Sequence, residues 1–437
     1  MTGIAFRSIG CRTNQEEMFA LRAKLSTVGY AAVDEIENAD IVIVNTCSVT
    51  SSTESKTGRF IRSISKNAPN AQILITGCFA QQHGEALLKY PGVRWVVGNG
   101  DKHLIASIIK SNSGNGLFLS DINASGGHVF WEDDILGPDE SGRTRFSVKI
   151  QEGCDFKCAY CIVPSLRGRS RSAPKGQLVE TFKRALDKGY KEIVLTGTHI
   201  GQYCDPGGLE SLLEEFLKIP GDYRIRLSSL DPRDLTDTLI SIVGEENRVC
   251  DHLHVSVQSL CADVLSGMAR PHDKLDMLIK RLHDFREKYP QSGLGADFIV
   301  GHPGETGVMF ETTLRGVESI GFTYAHIFRF SKRRGTPSAL MPGQISELEK
   351  KKRSERLREA IAESRKKYLS LLLGRPLCIL VEDGSPARGI SGNYLKIEIP
   401  GADFSKNSWV RAALIGIAGD GRCIAEEIVD AGGAKPI

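Results

Sequence analysis

Short runs of β-branched and apolar residues alternate with helix-like segments along most of the chain, and this alternation constrains the fold most strongly. In the first hundred residues the β-rich runs are GIAFRSI, ADIVIVN and AQILIT. Helices are expected between them over Gln15–Val28 and Thr53–Ser65. Asn14 and Ser52 are the candidate N-caps of these helices. Because strands that alternate with helices form parallel sheets, we predict an N-terminal parallel α/β domain over residues 1–110.

A second series of β-rich runs follows a stretch rich in Gly, Ser and Asn, which we interpret as a linker over 111–142. The six runs are RFSVKI, EIVLTG, YRIRLSS, DHLHVSV, GADFIVG and TYAHIFRF. Helical segments are expected between them at Gly176–Lys188, Leu235–Val243 and Lys274–Lys288. Six strands with intervening helices predict a partial (β/α)6 barrel over 143–345, with an active site at the C-terminal ends of the strands.

The last part of the chain, residues 346–437, has a different sequence pattern. A charged amphipathic helix is expected over 346–373. The runs LCILVED, YLKIEIP and WVRAALIGI then alternate with Gly-rich turns. Short strands of this kind predict a small β-barrel over 374–437, a frequent nucleic-acid-binding module.

Composition limits the compartment in which the chain is expected. No segment approaches the roughly 20 apolar residues of a membrane span. The N-terminus, MTGIAFRSIGC, lacks the apolar run and the cleavage site of a signal peptide. We therefore expect a cytoplasmic protein without membrane association. In that compartment the eleven cysteines stay reduced, which favours metal or catalytic roles over disulfides.

Positive charge is concentrated although the net charge is only +3. Thirteen Lys or Arg face five Glu between Arg329 and Lys367, and RGRSR spans Arg167 to Arg171. Either run alone is compatible with a solvated surface. Two such runs around one domain favour a polyanionic partner such as RNA.

Three cysteines in GCDFKCAYC have the spacing Cys-x3-Cys-x2-Cys, at Cys154, Cys158 and Cys161. A structural zinc site needs a fourth ligand, and the next His or Cys along the chain is His199. Inert buried cysteines are a further alternative. An iron–sulfur cluster held by three thiolates is favoured, because it leaves one iron open for a small molecule.

A second triad is predicted in the N-terminal domain. Cys11, Cys47 and Cys78 each lie one or two residues past the end of a predicted strand. A single cysteine there is more often a packing residue. However, the carboxyl ends of parallel strands share one crevice, so these three thiols could hold a second cluster. The other five cysteines are interpreted as structural: Cys204, Cys250, Cys261, Cys378 and Cys423.

The two triads and the C-terminal barrel together resemble the methylthiotransferase family of radical S-adenosylmethionine enzymes. The motifs that carry the likeness are SIGCRTNQEE, VNTCSVTSSTESK, ITGCFAQ, QEGCDFKCAYCIVPSLRGRSRS, RIRLSSLDP, HLHVSVQS, FIVGHPGET and FSKRRGTPSALM. The tail ARGISGNYLKIEI resembles the RNA-binding TRAM domain of that family. The likeness covers nearly the whole chain, and two triads in this order are highly specific.

The resemblance implies two [4Fe-4S] clusters and S-adenosylmethionine as cofactors. The Cys154/Cys158/Cys161 cluster would cleave S-adenosylmethionine to a 5′-deoxyadenosyl radical. The Cys11/Cys47/Cys78 cluster would carry the sulfur that is transferred. Motifs such as GCRTNQ and RGRSRS are most similar to the branch that modifies N6-threonylcarbamoyladenosine beside the tRNA anticodon. The branches that modify isopentenyladenosine or a ribosomal-protein aspartate are the alternatives.

Further site residues follow from the resemblance. The aromatic Tyr160 matches the superfamily pattern beside the third cysteine. S-adenosylmethionine is expected along the strand ends, with Gly197 and Thr198 as one wall and Gly301 and Gly304 as another, although tight turns would also explain these glycines. Contacts to tRNA phosphates or to the threonylcarbamoyl carboxylate are expected from residues that we list here: Arg167, Arg169, Arg171 and, in the barrel, Tyr394.

The expected partners are tRNA, an electron donor such as flavodoxin or ferredoxin, and a sulfur donor that the sequence does not identify. His199 and His302 are expected to pack or hydrogen bond rather than to bind a cluster. The chain departs from the family at Leu260-Cys261, at His302 and over Lys332–Arg334, which bears on substrate fit and not on the triads. Two rival functions remain: a radical enzyme whose second cluster only relays electrons, and a non-catalytic zinc-bearing RNA-binding protein.

Overall fold

The computed structural model describes residues 2–48, 51–111, 114–123, 135–419 and 421–428, with the backbone alone at 51–52. Within these ranges the chain forms a parallel sheet with helices, then a partial barrel, and last a small closed barrel. This order confirms the predicted α/β fold class with a C-terminal β-barrel.

The N-terminal domain is built on a parallel sheet with the strand order β2-β1-β3-β4-β5-β6 among the described residues. Its strands are β1 (Gly3–Ser8), β2 (Ala31–Val33), β3 (Ile41–Thr46), β4 (Gln72–Gly77), β5 (Val93–Val97) and β6 (Gly116–Phe118). Its helices are α1 (Arg12–Thr27), α2 (Ser51–Asn67), α3 (Cys78–His83) and α4 (Ile105–Ser111). The central strands are apolar and buried on both faces, as expected for a parallel sheet covered by helices.

Two details differ from the sequence prediction, and a third lies outside the described residues. Helix α1 begins at Arg12, so Asn14 is a buried helical residue and not a cap; its Nδ2 donates to the Thr46 carbonyl at 2.8 Å. The side chain of Ser52 lies outside the described residues. Strand β6 lies inside the predicted linker and pairs with β5, while residues 112–113 and 124–134 of that linker lie outside the described residues.

The central domain carries six parallel strands and one short antiparallel strand in the part of the chain that the structure describes. The strands are β7 (Arg145–Glu152), β8 (Arg171–Ser172), β9 (Glu192–Gly197), β10 (Arg224–Leu227), β11 (His252–Gln258), β12 (Gly293–Val300) and β13 (Tyr324–Arg329). These strands form two sheets, with the orders β10-β9-β7-β8 and β11-β12-β13. Isolated β-bridges from Ile225 to Val249 and from Leu230 to Val255 join the two sheets. The six predicted strands thus form an open barrel.

The helices of the central domain precede, connect or follow these strands. They are α5 (Pro138–Ser141), α6 (Val163–Arg167), α7 (Lys175–Asp187), α8 (Gly208–Leu217), α9 (Asp237–Glu245), α10 (Ala262–Gly267), α11 (Leu275–Lys288), α12 (Gly307–Ile320) and α13 (Pro337–Leu340). Short 3₁₀ helices lie at Ile36–Asn38, Gly84–Lys89, Lys102–Leu104, Ile200–Gln202 and Pro232–Asp234. Helix α6 matters most for the site, because it begins two residues after Cys161 and contacts helix α3 of the N-terminal domain.

A long helix, α14 (Glu347–Leu372), leads to the closed barrel, and the Ser346 side chain caps its N-terminus. The barrel strands are β14 (Pro376–Asp383), β15 (Ala387–Ser391), β16 (Lys396–Ile399), β17 (Trp409–Ile417) and β18 (Cys423–Glu427). The barrel is docked on the central domain through Arg224 and Arg226, whose guanidinium groups donate to barrel carbonyls such as that of Ile390. Among the described residues, no helix has the length and apolar character needed to cross a bilayer.

Candidate active site

The N-terminal triad lies at one edge of the sheet because β1, β3 and β4 are neighbours in it. Cys11 precedes α1, Cys47 follows β3, and Cys78 begins α3 immediately after β4. The Cys11 Sγ lies 3.1 Å from the Asn14 Oδ1. A hydrogen bond with Cys47 lowers the pKa of Cys11 to about 6, against the effect of burial and with help from Arg167. Two of the three thiols are therefore in contact.

Glycines make this approach possible. Gly10 has φ +136°, and a Cβ added there would lie 2.2 Å from the Cβ of Cys47. Gly77 has φ +96°, and its added Cβ would lie 2.3 Å from the Thr46 carbonyl oxygen. A side chain at either position would separate the loops that carry the triad, so glycine is required by close approach as well as by backbone conformation.

The second triad lies on the loop between β7 and α6. The Cys154 N–H donates to the Gly168 carbonyl at 3.0 Å, and the Cys161 N–H donates to the Cys158 carbonyl at 3.0 Å. These bonds fold the loop back on itself. Burial raises the pKa of Cys161 to about 12. Tyr160 packs against the buried side chains of Cys261 and Met268.

Two cationic groups flank the second triad. The Arg270 Nη1 lies 3.8 Å from the Cys158 Sγ, and its Nη2 donates to the Asp231 Oδ2 at 2.7 Å. Burial alone would lower the pKa of His199, but hydrogen bonds with Asp234 and Cys154 raise it to about 9. His199 is therefore a hydrogen-bonding neighbour of the loop, in agreement with its predicted role.

Arg167 is placed differently from the prediction. Its side chain is 3% exposed, and its guanidinium donates to Glu17 at 2.8 Å, Glu152 at 2.7 Å and Asn14 at 2.9 Å. Lys102 and Lys149 complete this buried network with ion pairs to Glu17. The structure therefore places Arg167 in a buried network between the domains and not on the exposed surface that the predicted RNA contact would need.

Three cations against two carboxylates give this network a net charge of +1. Although burial opposes it, interactions with Arg167, Lys102 and Lys149 hold the pKa of Glu17 well below its usual range. Arg167 also interacts electrostatically with Cys78 and Cys11. Beside it, Ile162 and Leu166 of the α6 region pack on Cys78. The network therefore joins the two domains at the N-terminal triad.

A cavity of about 740 Å³ opens between the three domains. Its lining includes Cys11 and Cys47 from the first triad, and Tyr160 and Cys161 from the second. Tyr394 contributes to the lining from the C-terminal barrel. One cavity therefore reaches both cysteine triads, and its volume is in the range of small-molecule sites.

Of the two segments predicted to contact S-adenosylmethionine, only the first contributes its predicted residues to the cavity lining. Gly197 and Thr198 line the cavity. Gly301 and Gly304 are not part of its described lining, and a Cβ at Gly301 would lie 2.3 Å from the Lys350 side chain. Ile299, from the same strand, does line the cavity.

The three other residues predicted to contact RNA differ in their exposure and in their contacts. The Arg169 side chain is 85% exposed and lies 3.8 Å from Asp155. Arg171 is half-buried and donates to the Arg167 carbonyl at 2.7 Å. Tyr394 stacks on His252 with ring centroids 4.7 Å apart. Its φ is +68°, a strained value for tyrosine that the surrounding contacts must maintain.

Sequence reasoning missed several polar residues of the cavity wall. His326 Nδ1 lies 3.1 Å and His254 Nε2 lies 3.0 Å from the Asp297 Oδ1. Arg12 contacts the Tyr394 hydroxyl at 3.1 Å. The available signal was the polar residues inside the otherwise apolar strand runs DHLHVSV, GADFIVG and TYAHIFRF, since strand alternation turns such residues to one face.

The departures from the family pattern lie mostly in packed regions. Leu260, Cys261 and His302 are buried, and His302 Nε2 lies 2.8 Å from the Ser338 Oγ. Burial lowers the pKa of His302 to about 4. Arg333 forms an ion pair with Glu54 across the domain boundary. Of the five other cysteines, Cys204 is exposed, so its structural interpretation does not follow from burial.

Both donor sets fit an iron–sulfur cluster. All eleven cysteines are free of disulfides, and thiolates are the ligands that such clusters use. Each triad supplies three thiols and no fourth. Cys47 and Cys161 face the same cavity, so the unligated side of each cluster would be accessible from it.

Comparisons with known proteins agree with this geometry. Residues 148–317 match the radical SAM superfamily, and residues 3–98 match a family described as uncharacterized protein family UPF0004. The radical S-adenosylmethionine methyltransferase TsrM from Kitasatospora setae superposes with a TM-score of 0.60 at 14% identity, over 78% of this chain and 77% of that chain. At that identity the likeness shows the fold alone.

Curated relatives are more specific. The threonylcarbamoyladenosine tRNA methylthiotransferase MtaB of Thermotoga maritima is 38% identical over 87% of both chains. The tRNA-2-methylthio-N(6)-dimethylallyladenosine synthase of Clostridium novyi is 33% identical over 86% of this chain and 84% of that protein. The superfamily match and these relatives together define a radical S-adenosylmethionine enzyme. The chain belongs to the methylthiotransferase family of these enzymes and is a transferase.

Proposed function

We propose that this chain methylthiolates C2 of N6-threonylcarbamoyladenosine next to the tRNA anticodon, giving 2-methylthio-N6-threonylcarbamoyladenosine. The observation that carries the proposal is the single cavity whose wall includes cysteines of both triads. A sulfur-bearing centre and a radical-generating centre must reach the same substrate carbon. Relatives with the threonylcarbamoyladenosine name, at 31–38% identity over most of the chain, supply the substrate.

The cofactors are S-adenosylmethionine and two [4Fe-4S] clusters. In our proposal Cys11, Cys47 and Cys78 hold one cluster, and Cys154, Cys158 and Cys161 hold the other. When bound, these groups would supply a radical, from one S-adenosylmethionine, that removes hydrogen from C2, and a methylthio group, with its methyl from another S-adenosylmethionine, that takes the place of that hydrogen. The C2–H bond of an adenine does not ionise at neutral pH, so acid–base chemistry alone would not open this position.

The protein's own residues position and shield these groups. Gly197 and Thr198 form the wall along which S-adenosylmethionine would lie. Arg270 holds the Cys158 region against Asp231 through a buried ion pair. The network around Arg167 fixes α6, and with it Cys161, against the N-terminal triad. Rigid attachment of both triads to one cavity is what a two-centre reaction needs, because small displacements of reacting groups cost large factors in rate.

The substrate partner is tRNA. We propose that Arg169 and the C-terminal barrel contact its backbone, in a manner that weakens with salt. A flavodoxin or a ferredoxin would supply electrons, a separate donor would supply sulfur, and the cytoplasm would be the compartment.

Nucleoside mass spectrometry tests the substrate. Transfer RNA from cells with and without the gene is digested, and the methylthio forms of threonylcarbamoyladenosine and isopentenyladenosine are both quantified. We expect the first form to disappear with the gene and the second to remain. Loss of the isopentenyl form alone would assign the other tRNA branch, and loss of neither would leave the ribosomal-protein aspartate as the family's remaining substrate.

Metal analysis tests the class of enzyme independently. Two four-iron clusters predict about eight irons and eight acid-labile sulfides per chain after anaerobic purification. One or two zinc ions without sulfide would overturn the enzyme assignment in favour of a zinc-bearing RNA-binding protein.

A further inference from the structure

One arginine of the cavity wall differs from the others in its partners. Arg12 follows Cys11 directly and is half-buried at the start of α1. Its Nη2 donates to the Tyr394 hydroxyl at 3.1 Å. Within the described residues it forms no ion pair, since the nearby Glu16 is paired with Arg143 at 3.2 Å. Burial raises the pKa of Glu16, and the charges of Arg143 and Arg12 oppose that rise, so Glu16 compensates Arg12 only in part and without a direct contact.

The other cations of the wall are already paired. Arg226 is fully buried and donates to Glu192 at 2.7 Å, and Arg333 is paired with Glu54. Arg329 lies 3.7 Å from Glu347. His254 and His326 share Asp297. An anion that enters the cavity would thus find one guanidinium among the described wall residues that no carboxylate contacts directly.

Tyr394 holds this guanidinium in place. Its ring is packed between His252 at 4.7 Å and the Arg226 guanidinium at 5.1 Å from the ring centroid. The contact with Arg12 uses one of the five N–H donors of the guanidinium. The remaining donors form a planar fork suited to a carboxylate.

We infer that Arg12 binds the carboxylate of the N6 substituent and thereby selects a carboxylate-bearing adenosine over a neutral one. This inference rests on the proposed function. A threonylcarbamoyl group carries a carboxylate, whereas an isopentenyl group carries no charge. Placing the contact beside Cys11 puts the substituent next to the N-terminal triad, with the adenine free to extend toward Cys161 across the same cavity.

The test compares matched anticodon stem-loops on the reconstituted full-length holoenzyme. The nucleoside next to the anticodon is threonylcarbamoyladenosine, its methyl ester or isopentenyladenosine. Dissociation constants are measured by fluorescence anisotropy and kcat/KM by product formation. A charge-assisted contact predicts that the wild type binds the acid about 10- to 100-fold more tightly than the ester. Arg12→Gln should bind the acid as weakly as the ester, and its affinity for the ester should equal that of the wild type.

Two control variants distinguish a specific carboxylate contact of Arg12 from a general effect of removing positive charge. Arg22→Gln removes a cation from the same helix away from the cavity and should keep the acid-to-ester ratio. Arg12→Lys keeps the charge without the fork and should keep only part of the ratio. If Arg12→Gln loses iron, the Arg12→Lys ratio decides, and an unchanged ratio there overturns the inference.

Two further outcomes would contradict the inference. If Arg12→Gln retains the wild-type ratio, another group binds the carboxylate. If it weakens S-adenosylmethionine binding in the absence of RNA, the carboxylate that Arg12 holds belongs to the cofactor. A wild type that prefers the isopentenyl stem-loop would instead refute the proposed function, so the two failures are distinguishable.

Discussion

The two cysteine triads reach one cavity by different structural routes. The N-terminal triad collects its thiols from three separate strand ends, and each position depends on the register of the parallel sheet. The second triad takes all three thiols from one loop of eight residues between Cys154 and Cys161. The first site is therefore a product of tertiary structure, whereas the second is nearly complete in local sequence.

The electrostatic surroundings of the two triads also differ. A hydrogen bond with Cys47, helped by Arg167, lowers the pKa of Cys11 to about 6. Burial raises the pKa of Cys161 to about 12. Because thiolates bind metal, the surroundings of Cys11 favour its metal-binding form, whereas burial disfavours that form at Cys161. This contrast suggests that variants can damage the two sites separately.

The largest expected effect comes from removing one thiol from each triad in turn. Cys158→Ala should reduce reductive cleavage of S-adenosylmethionine to background, and no methylthio product should form. Cys47→Ala should still release 5′-deoxyadenosine with reductant but transfer no methylthio group. Both activities are measured by liquid chromatography, with circular dichroism as the folding control. A well-folded Cys47→Ala protein that methylthiolates tRNA over many turnovers would refute the assignment of sulfur to the N-terminal site.

A smaller effect is expected from Arg167→Gln, which removes the cation that joins the two domains. Glu17 and Glu152 would then remain buried with less compensation, at a cost of about 3–5 kcal/mol. Since Arg167 interacts with Cys78 and Cys11, the iron content should fall from about eight toward about four per chain. The measurements are the melting temperature and iron analysis.

Arg169→Gln is the matched control for that variant. It lies two residues away, is 85% exposed, and should change stability by less than about 0.5 kcal/mol. If the two variants have equal melting temperatures and equal iron content, the network around Arg167 does not support the N-terminal triad.

The same contrast explains what could be predicted from sequence. The β-rich runs predicted the six barrel strands and β1, β3 and β4, because strand period and apolar content are local properties. Strand β6 was missed, since its three residues, GLF, lie in a Gly- and Ser-rich stretch and gain their structure by pairing with β5. Short edge strands of this kind have little local signal.

The site residues also differ in whether a local sequence signal predicted them. The six cysteines of the two proposed cluster sites were predicted from spacing and strand ends, which are local signals. Arg167 was assigned to RNA because an arginine in RGRSR looks solvent-exposed in sequence, and only the tertiary fold brings Glu17 from α1 to meet it. Arg12 and Tyr394 are 382 residues apart in sequence, so no local pattern could have paired them.

The smallest expected effect comes from Tyr394, the barrel residue that contacts Arg12. It tests whether the C-terminal barrel influences only the N-terminal side of the cavity. Deleting the barrel is a poor test, because Arg226 is fully buried against its carbonyls. Tyr394→Phe instead removes only the hydroxyl that contacts Arg12, at a cost of about 1 kcal/mol or roughly fivefold in kcat/KM for methylthiolation. Reductive cleavage of S-adenosylmethionine without RNA should keep its wild-type rate, because Tyr394 contacts Arg12 beside Cys11 and packs on His252 and Arg226. Equal losses in both assays would mean that Tyr394 supports the whole cavity and not its N-terminal side.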